Sequence, residues 1–241
     1  MIINNKTIVG SIVAENYKSA EIFKSYGIDF CCRGNRSIET ICKENTIDED
    51  ALIDSLETCF KTETDTNDYQ SWEIDFLSDY IYNKHHKYIE SKVPEIKQYL
   101  DKLCKVHGIH HQELFEIYKL FTESANELTT HMKKEELILF PYFKKLAEAT
   151  RNNTSVSSSQ FDSVMSPITM MHEEHDNEGV RFRKIAELSN GYSPPLDACN
   201  TYKVTYSLLQ EFEEDLHKHI HLENNILFKK GIELEQNLKS N

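Results

Sequence analysis

Two short segments hold the residues best suited to chemistry. HMKKEELILF (131–140) and HIHLENNILF (219–228) both read H-x3-E-x2-I-L-F, each matched residue 88 positions from its copy. A histidine and a glutamate four apart on a helix lie one turn apart on one face, so both reach the same point in space. The copies extend upstream, because His86 lies 45 residues before His131 and His175 lies 44 before His219. The pattern is therefore two helical hairpins, each with a histidine on its first helix and H-x3-E on its second. Packing alone has no need of matched ionisable residues on an inward face, where they are costly unless paired or metal-bound.

Helical phase, at about 100° per residue, tests which way these groups point. His219 and Glu223 fall within the stripe formed by Leu208, Leu209, Phe212, Leu216, Ile226 and Leu227. His131 and Glu135 share a face with Ile117, Leu120, Phe121, Leu128, Ile138 and Leu139, and His175 shares one with Ile168, Met171, Phe182 and Ala186. His217 and His221 point about 160° away from His219, which makes them solvated or the contact point of a partner. His85 and His86 flank their stripe equally, so phase leaves both open; hairpin spacing favours His86. His172 sits at the rim of its stripe.

Four histidines and two glutamates converging in a helical core are too many donors for one tetrahedral zinc. They match two metals bridged by carboxylates. Imidazole with carboxylate suits iron or manganese, and bundle cores are an established setting for such pairs. The competing reading is two satisfied His–Glu ion pairs.

The positioning elements are helices. The 241 residues contain only 7 Gly and 5 Pro, and long polar–apolar periodic stretches indicate an all-α protein. Residues 1–60 hold short helices near 7–15 and 18–26, the second ended by Gly27, then one after Ser37 and one capped by Asp48. KTETDTNDYQ (61–70) reads as a linker. Residues 71–241 form the bundle, with long helices at about 72–104, 110–148, 165–188 and 197–229, separated by short connections, RNNTSVSSSQ (151–160) and NGYSPP (190–195). That order predicts a four-helix up-down-up-down bundle preceded by a small helical N-terminal domain. The net charge of −13 argues against nucleic acid or an anionic membrane as partner. No signal-peptide pattern or membrane-length apolar run is present, so a cytoplasmic location is expected. Six scattered cysteines fit reduced thiols.

Two features together resemble the repair-of-iron-centres (RIC) family, also described as iron–sulfur cluster repair proteins. One is the hemerythrin-like bundle signature in HMKKEELILFP (131–141) and H-x3-E-N-N-x-L-F (219–228). The other is GIDFCCRGN (27–35), similar to the G-I-D-F-C-C motif of the family's N-terminal domain. The resemblance covers nearly the whole chain. It implies that His86, the second histidine of its pair, is a ligand, giving the metal set His86, His131, Glu135, His175, His219 and Glu223. It also implies two iron ions, with both glutamates bridging them. Arg33 departs from the family, which more often has Gly there, and adds a charge expected to lower a neighbouring thiol pKa.

With that resemblance, Cys31 and Cys32 are expected to be a thiol pair handling electrons, iron or nitric oxide, since a disulfide between adjacent residues is strained and labile. The other four cysteines are expected to be packing or incidental. The function implied is repair or protection of iron–sulfur clusters damaged by nitric oxide or oxidants. The partners are then damaged iron–sulfur proteins and small ligands such as nitric oxide or oxygen, with a homodimer and a nitric oxide reductase-type activity left open. The alternative is a hemerythrin-like oxygen or nitric oxide binding or sensing protein, for which His172 is the candidate fifth histidine.

Overall fold

A computed structural model of the protein describes residues 1–62, 67–156 and 161–240. Four short helices come first: α1 Val9–Glu15, α2 Ser19–Ser25, α3 Ile38–Asn45 and α4 Glu49–Thr62. Their ends follow local chemistry. Gly27 takes φ 67° after α2, the left-handed conformation that lets Ile28 N–H return to the Phe23 carbonyl at 2.8 Å. The Ser37 hydroxyl accepts the Thr40 N–H, and the Asp48 carboxylate accepts that of Ala51 at 3.1 Å. Of the stretch 61–70, residues 61–62 belong to the last turn of α4, 63–66 lie outside the described residues, and Tyr69–Ser71 form a 3₁₀ turn with Tyr69 buried beside Trp72. Residues 157–160 of the Ser/Asn-rich separator also lie outside the described residues.

The long helices then run as an up-down-up-down bundle. α5 comprises Ile74–Ile81, a π-turn at Tyr82–His86 and Lys87–His107. α6 comprises Glu113–Lys134, a π-turn at Glu135–Leu139 and Phe140–Asn152. α7 is Met165–Leu188. α8 comprises Asn200–Leu222, a π-turn at Glu223–Leu227 and Phe228–Ser240. α5 packs on α6 and α8, α6 packs on α7, and the Phe182 ring stacks on Phe212 at 5.7 Å to join α7 to α8. Among the described residues there is no strand, only an isolated bridge between Ile8 and Ser37. No described helix is long and apolar enough to cross a membrane.

The π-turns correct the even 100° phase. In each, an N–H bonds five residues back: Lys87 to Tyr82, Phe140 to Glu135 and Phe228 to Glu223. The extra residue per turn shifts the downstream residues by one position. Ile138, expected inward, is 40% exposed, whereas Leu139 and Phe140 are buried. Each π-turn begins or ends on a residue of the candidate site.

Two apolar cores sandwich that site. One holds Ile89, Phe121, Phe182 and Phe212 and continues into Val9, Phe23, Ile41 and Leu52 of the short helices. The other holds Leu77, Phe143, Met171 and Phe228. The histidines and glutamates fall between the two on all four long helices.

The outer face of α8 is not solvated, which corrects the expectation for His217 and His221. His221 is buried and His217 half-buried. Phe30 packs its ring on both, with centroids at 6.2 and 6.1 Å, and Tyr17 packs on His221 at 5.8 Å. Burial lowers His217 to about 4 and His221 to about 3, helped at His221 by the charges of Lys229 and Lys218. Phase gives the side of a helix but not whether another segment covers it; here residues 1–60 of the same chain do. α1 approaches so closely that a Cβ on Gly10 would lie 2.1 Å from Asn225 Oδ1 and 3.0 Å from the Gly34 carbonyl. Gly10→Val is therefore expected to destabilise the protein by about 1–3 kcal/mol through forced repacking. Earlier proteolytic cleavage within residues 1–60, read beside a melting curve, checks it.

Candidate metal centre

All six expected residues are buried and converge. His86, Glu135, His219 and Glu223 form one group whose donor atoms lie within 4.8 Å of one another; His131, Glu135, His175 and Glu223 form a second. Both glutamates belong to both groups. Glu135 Oε2 lies 3.4 Å from Nε2 of His86 and of His131. Glu223 Oε1 lies 2.8 Å from His219 Nε2 and 3.9 Å from His86 Nε2, and its Oε2 lies 3.2 Å from His175 Nε2.

The opposite ring nitrogens are held from outside, a feature phase could not show. His86 Nδ1 meets Glu136 Oε1 at 3.0 Å, and His175 Nδ1 meets Asn224 Oδ1 at 2.8 Å. Glu136 and Asn224 are copies in the 88-residue repeat, each directly after its glutamate. His131 Nδ1 meets Glu174 Oε2 at 2.8 Å, and Glu174 is also paired with Lys134. A partner that accepts the Nδ1 proton fixes the tautomer and turns Nε2 into a donor for a cation. The signal for these partners was adjacency: each neighbours a candidate ligand in sequence.

The second half is built differently. His85, where the repeat has Glu174 in the other hairpin, stacks parallel on His219 at 5.4 Å and gives its Nδ1 to Asp215 at 3.0 Å. His219 Nδ1 has no hydrogen-bond partner among the described residues. Neither His85 nor His172 joins the two groups. His172 instead sits edge-on to Phe228 at 5.7 Å.

The donor set fits a cation by its own chemistry. Both oxygens of Glu135, Oε2 of Glu223 and Nε2 of His86 are buried without an aligned hydrogen bond among the described residues. His131 and His175 bring Nε2 atoms to 3.0 Å of each other, an approach that requires a shared proton or a positive charge beside both. Buried polar atoms left this way cost about 1–3 kcal/mol each, and a cation between them removes that cost. In its absence protons serve. Burial alone would lower His86, but Glu135 and Glu223 outweigh it and raise it to about 10. Burial likewise opposes, and Glu223 overcomes, at His175, raised to about 9. Burial would raise Glu223, but His219, His175 and His86 hold it well below the ordinary carboxylate range.

A cavity of about 470 Å³ reaches this layer from one side, lined among others by Leu128, Thr130, His131, Lys134, Glu174 and His175. It touches the second group and not His86 or His219. Cys31 and Cys32 lie on the other side of α7, with sulfurs 3.7 Å apart and no disulfide among the described cysteines. The Cys31 thiol is pushed up, not down, by its contact with Cys32, by burial and by Asp29. Asp29 pairs with Arg183 at 2.8 Å. Cys31 thus stands above its ordinary range, opposite in direction to what the charge of Arg33 led one to expect.

Residues 78–230 match the family described as hemerythrin HHE cation binding domain, and residues 5–59 match one described as a domain of unknown function (DUF542), ScdA_N. The fold and site thus define a hemerythrin-type cation-binding bundle with an N-terminal ScdA_N segment. The chain is 31% identical over 228 residues to the iron-sulfur cluster repair protein ScdA of Staphylococcus haemolyticus, covering 95% of this chain and 99% of that one. It is 30% identical over 224 residues to the iron-sulfur cluster repair protein YtfE of Pectobacterium atrosepticum, covering 93% and 96%. A probable iron-sulfur cluster repair protein of Haemophilus influenzae is 32% identical over 214 residues, covering 87% and 89%. The chain belongs to this ScdA/YtfE family of iron-sulfur cluster repair proteins.

Glu136→Ala is expected to weaken metal binding about 10–100-fold, because His86 loses the partner that orients its ring. Titration of the metal-free variant with ferrous iron, beside the wild type, measures this.

Proposed function

We propose that the protein is a di-iron protein of the cytoplasm that repairs or protects iron–sulfur clusters damaged by nitrosative or oxidative stress. The observation that carries this reading is that two donor groups share both Glu135 and Glu223. His86 and His219 would hold one iron, His131 and His175 the other, and the two glutamates would bridge. The repair role is the one the relatives are named for.

Bound iron would supply a centre for small ligands such as nitric oxide or oxygen and a source of iron for damaged client proteins. The chain's own residues do the rest. Glu136, Glu174 and Asn224 orient the imidazoles. The two apolar cores exclude water from above and below. The cavity beside His131 and His175 admits a small ligand on that side.

Metal analysis with Mössbauer spectroscopy tests the centre: two irons per chain in a coupled pair are expected, and a mononuclear spectrum defeats the di-iron reading. Restoration of nitric oxide-damaged aconitase tests the role. Iron-loaded protein that restores no more activity than the same amount of free ferrous iron defeats it.

A further inference from the structure

The turn at 29–33 grips the centre from behind, at one histidine. Asp29 Oδ1 accepts the backbone N–H of Cys31 at 3.2 Å and of Cys32 at 3.0 Å, and the Cys31 thiol at 3.3 Å. Its Oδ2 is held by Arg183 at 2.8 Å. Asp29, Cys31 and Cys32 lie close enough to hold a metal ion, but these contacts already use both Asp29 oxygens and one thiol. The turn acts instead as a support.

Two contacts lead from it to His175. The Cys32 thiol donates to the His175 carbonyl at 3.2 Å. The Cys31 carbonyl accepts Asn224 Nδ2 at 3.2 Å, and Asn224 Oδ1 meets His175 Nδ1 at 2.8 Å. One cysteine holds the backbone of His175 and the other holds its ring through Asn224. Gly179, one turn along α7, leaves the room this needs, since a Cβ there would lie 3.0 Å from Cys32 Sγ. His86 and His131 take their outer partners, Glu136 and Glu174, from the bundle itself.

We propose that Cys31 and Cys32 are positioning residues for His175, and that their thiol state sets how tightly the His131–His175 iron is held. The inference rests on the di-iron reading. With both thiols present, the iron is retained; with the pair joined as a disulfide, it is released.

The oxidant is a low-molecular-mass disulfide, RSSR. A cavity of about 290 Å³ lined by Lys24, Asp29, Phe30, Cys31, Arg183 and His217 gives it access. One cysteine sulfur attacks RSSR, the RS–SR bond breaks as a Cys–S–S–R bond forms, and RSH leaves with the proton that cysteine gave up. The second sulfur attacks the first and expels the other RSH with its own proton. The Cys31–Cys32 bond forms, two thiols are oxidised, and RSSR is reduced to two RSH. The Cys32 S–H is then gone from the His175 carbonyl. Drawing sulfurs from 3.7 Å to about 2 Å reshapes the turn that presents the Cys31 carbonyl to Asn224.

The test monitors iron transfer from the full-length loaded protein to a ferrous chelator, before and after treatment with hydroxyethyl disulfide. Mass spectrometry confirms the Cys31–Cys32 bond. Treated wild type is expected to lose one of its two irons about tenfold faster or more, and a phosphine reductant restores the slow rate. Asn224→Ala is expected to lose one iron fast with or without treatment. Cys32→Ser keeps a hydroxyl donor and is expected to release slowly and ignore the disulfide, while Cys32→Ala releases one iron fast. Treated wild type that carries the bond yet keeps both irons at the reduced rate overturns the proposal, as does a Cys32→Ser protein equally sensitive to treatment. Untreated wild type binding fewer than two irons overturns the di-iron reading itself, a failure visible before any thiol is touched.

Discussion

Glu223→Ala is expected, on the di-iron reading proposed above, to bring bound iron from two per chain to less than one, and to destabilise the metal-free protein as well. Glu223 touches three of the four histidines, with His219 at 2.8 Å, His175 at 3.2 Å and His86 at 3.9 Å. It belongs to both donor groups, so its loss opens both metal positions together. In the metal-free protein the same carboxylate compensates buried imidazolium charge at His86 and His175. Removing one partner of a buried pair costs about 3–5 kcal/mol, which for a chain of this length lowers the melting temperature by roughly 10 °C. Glu135→Ala is expected to lose metal equally but to destabilise the metal-free protein less, because both Glu135 oxygens lack an aligned hydrogen bond. Elemental analysis and calorimetry on the two variants separate these effects. A Glu223→Ala protein holding two irons shows that the shared carboxylate does not bridge.

Period and repeat were enough to bring five of the six converging residues to one inward face, because a duplicated H-x3-E on an inward stripe leaves few other arrangements. His86 was different. Phase left it level with His85, and the structure separates them through a π-turn that ends at His86 and sends its Nε2 toward Glu135 while His85 turns to Asp215. π-turns carry no strong sequence signature, so Ile138 was placed one position wrong. The burial of His221 was illegible for another reason. It depends on Tyr17 and Phe30, both far away in the chain, and on the small residue Gly10 that lets α1 approach Asn225. Contacts of that range leave no periodic trace. The Nδ1 partners were nearer at hand: Glu136 and Asn224 come directly after the glutamates, and the repeat could have been read one residue further.

Metal uptake is expected to release protons and to strengthen steeply with pH. The atoms that face Glu135 and Glu223 are the Nε2 nitrogens, and a metal must displace the proton each imidazolium carries. With His86 raised to about 10 and His175 to about 9, both are protonated near pH 7.5 in the metal-free protein. Loading then releases about two protons, and affinity rises about 100-fold per pH unit until His175 begins to deprotonate. Stability of the metal-free protein moves the opposite way. Both histidines have folded pKa values above the ordinary one, so their contribution is complete below about 6.5 and is lost as pH rises through 9 and 10. Glu223, held low, contributes above its ordinary carboxylate value and loses this as pH falls. The metal-free protein is therefore most stable between about pH 5 and 6.5, where it binds metal worst. Iron and protons compete for one set of carboxylate contacts, so whichever occupies them removes the cost of burying Glu135 and Glu223. Calorimetric titration in buffers of different ionisation enthalpy counts the protons, and melting curves of the metal-free protein at pH 6 and pH 9 give the second sign. Binding without proton release removes the imidazolium–carboxylate account of the metal-free centre.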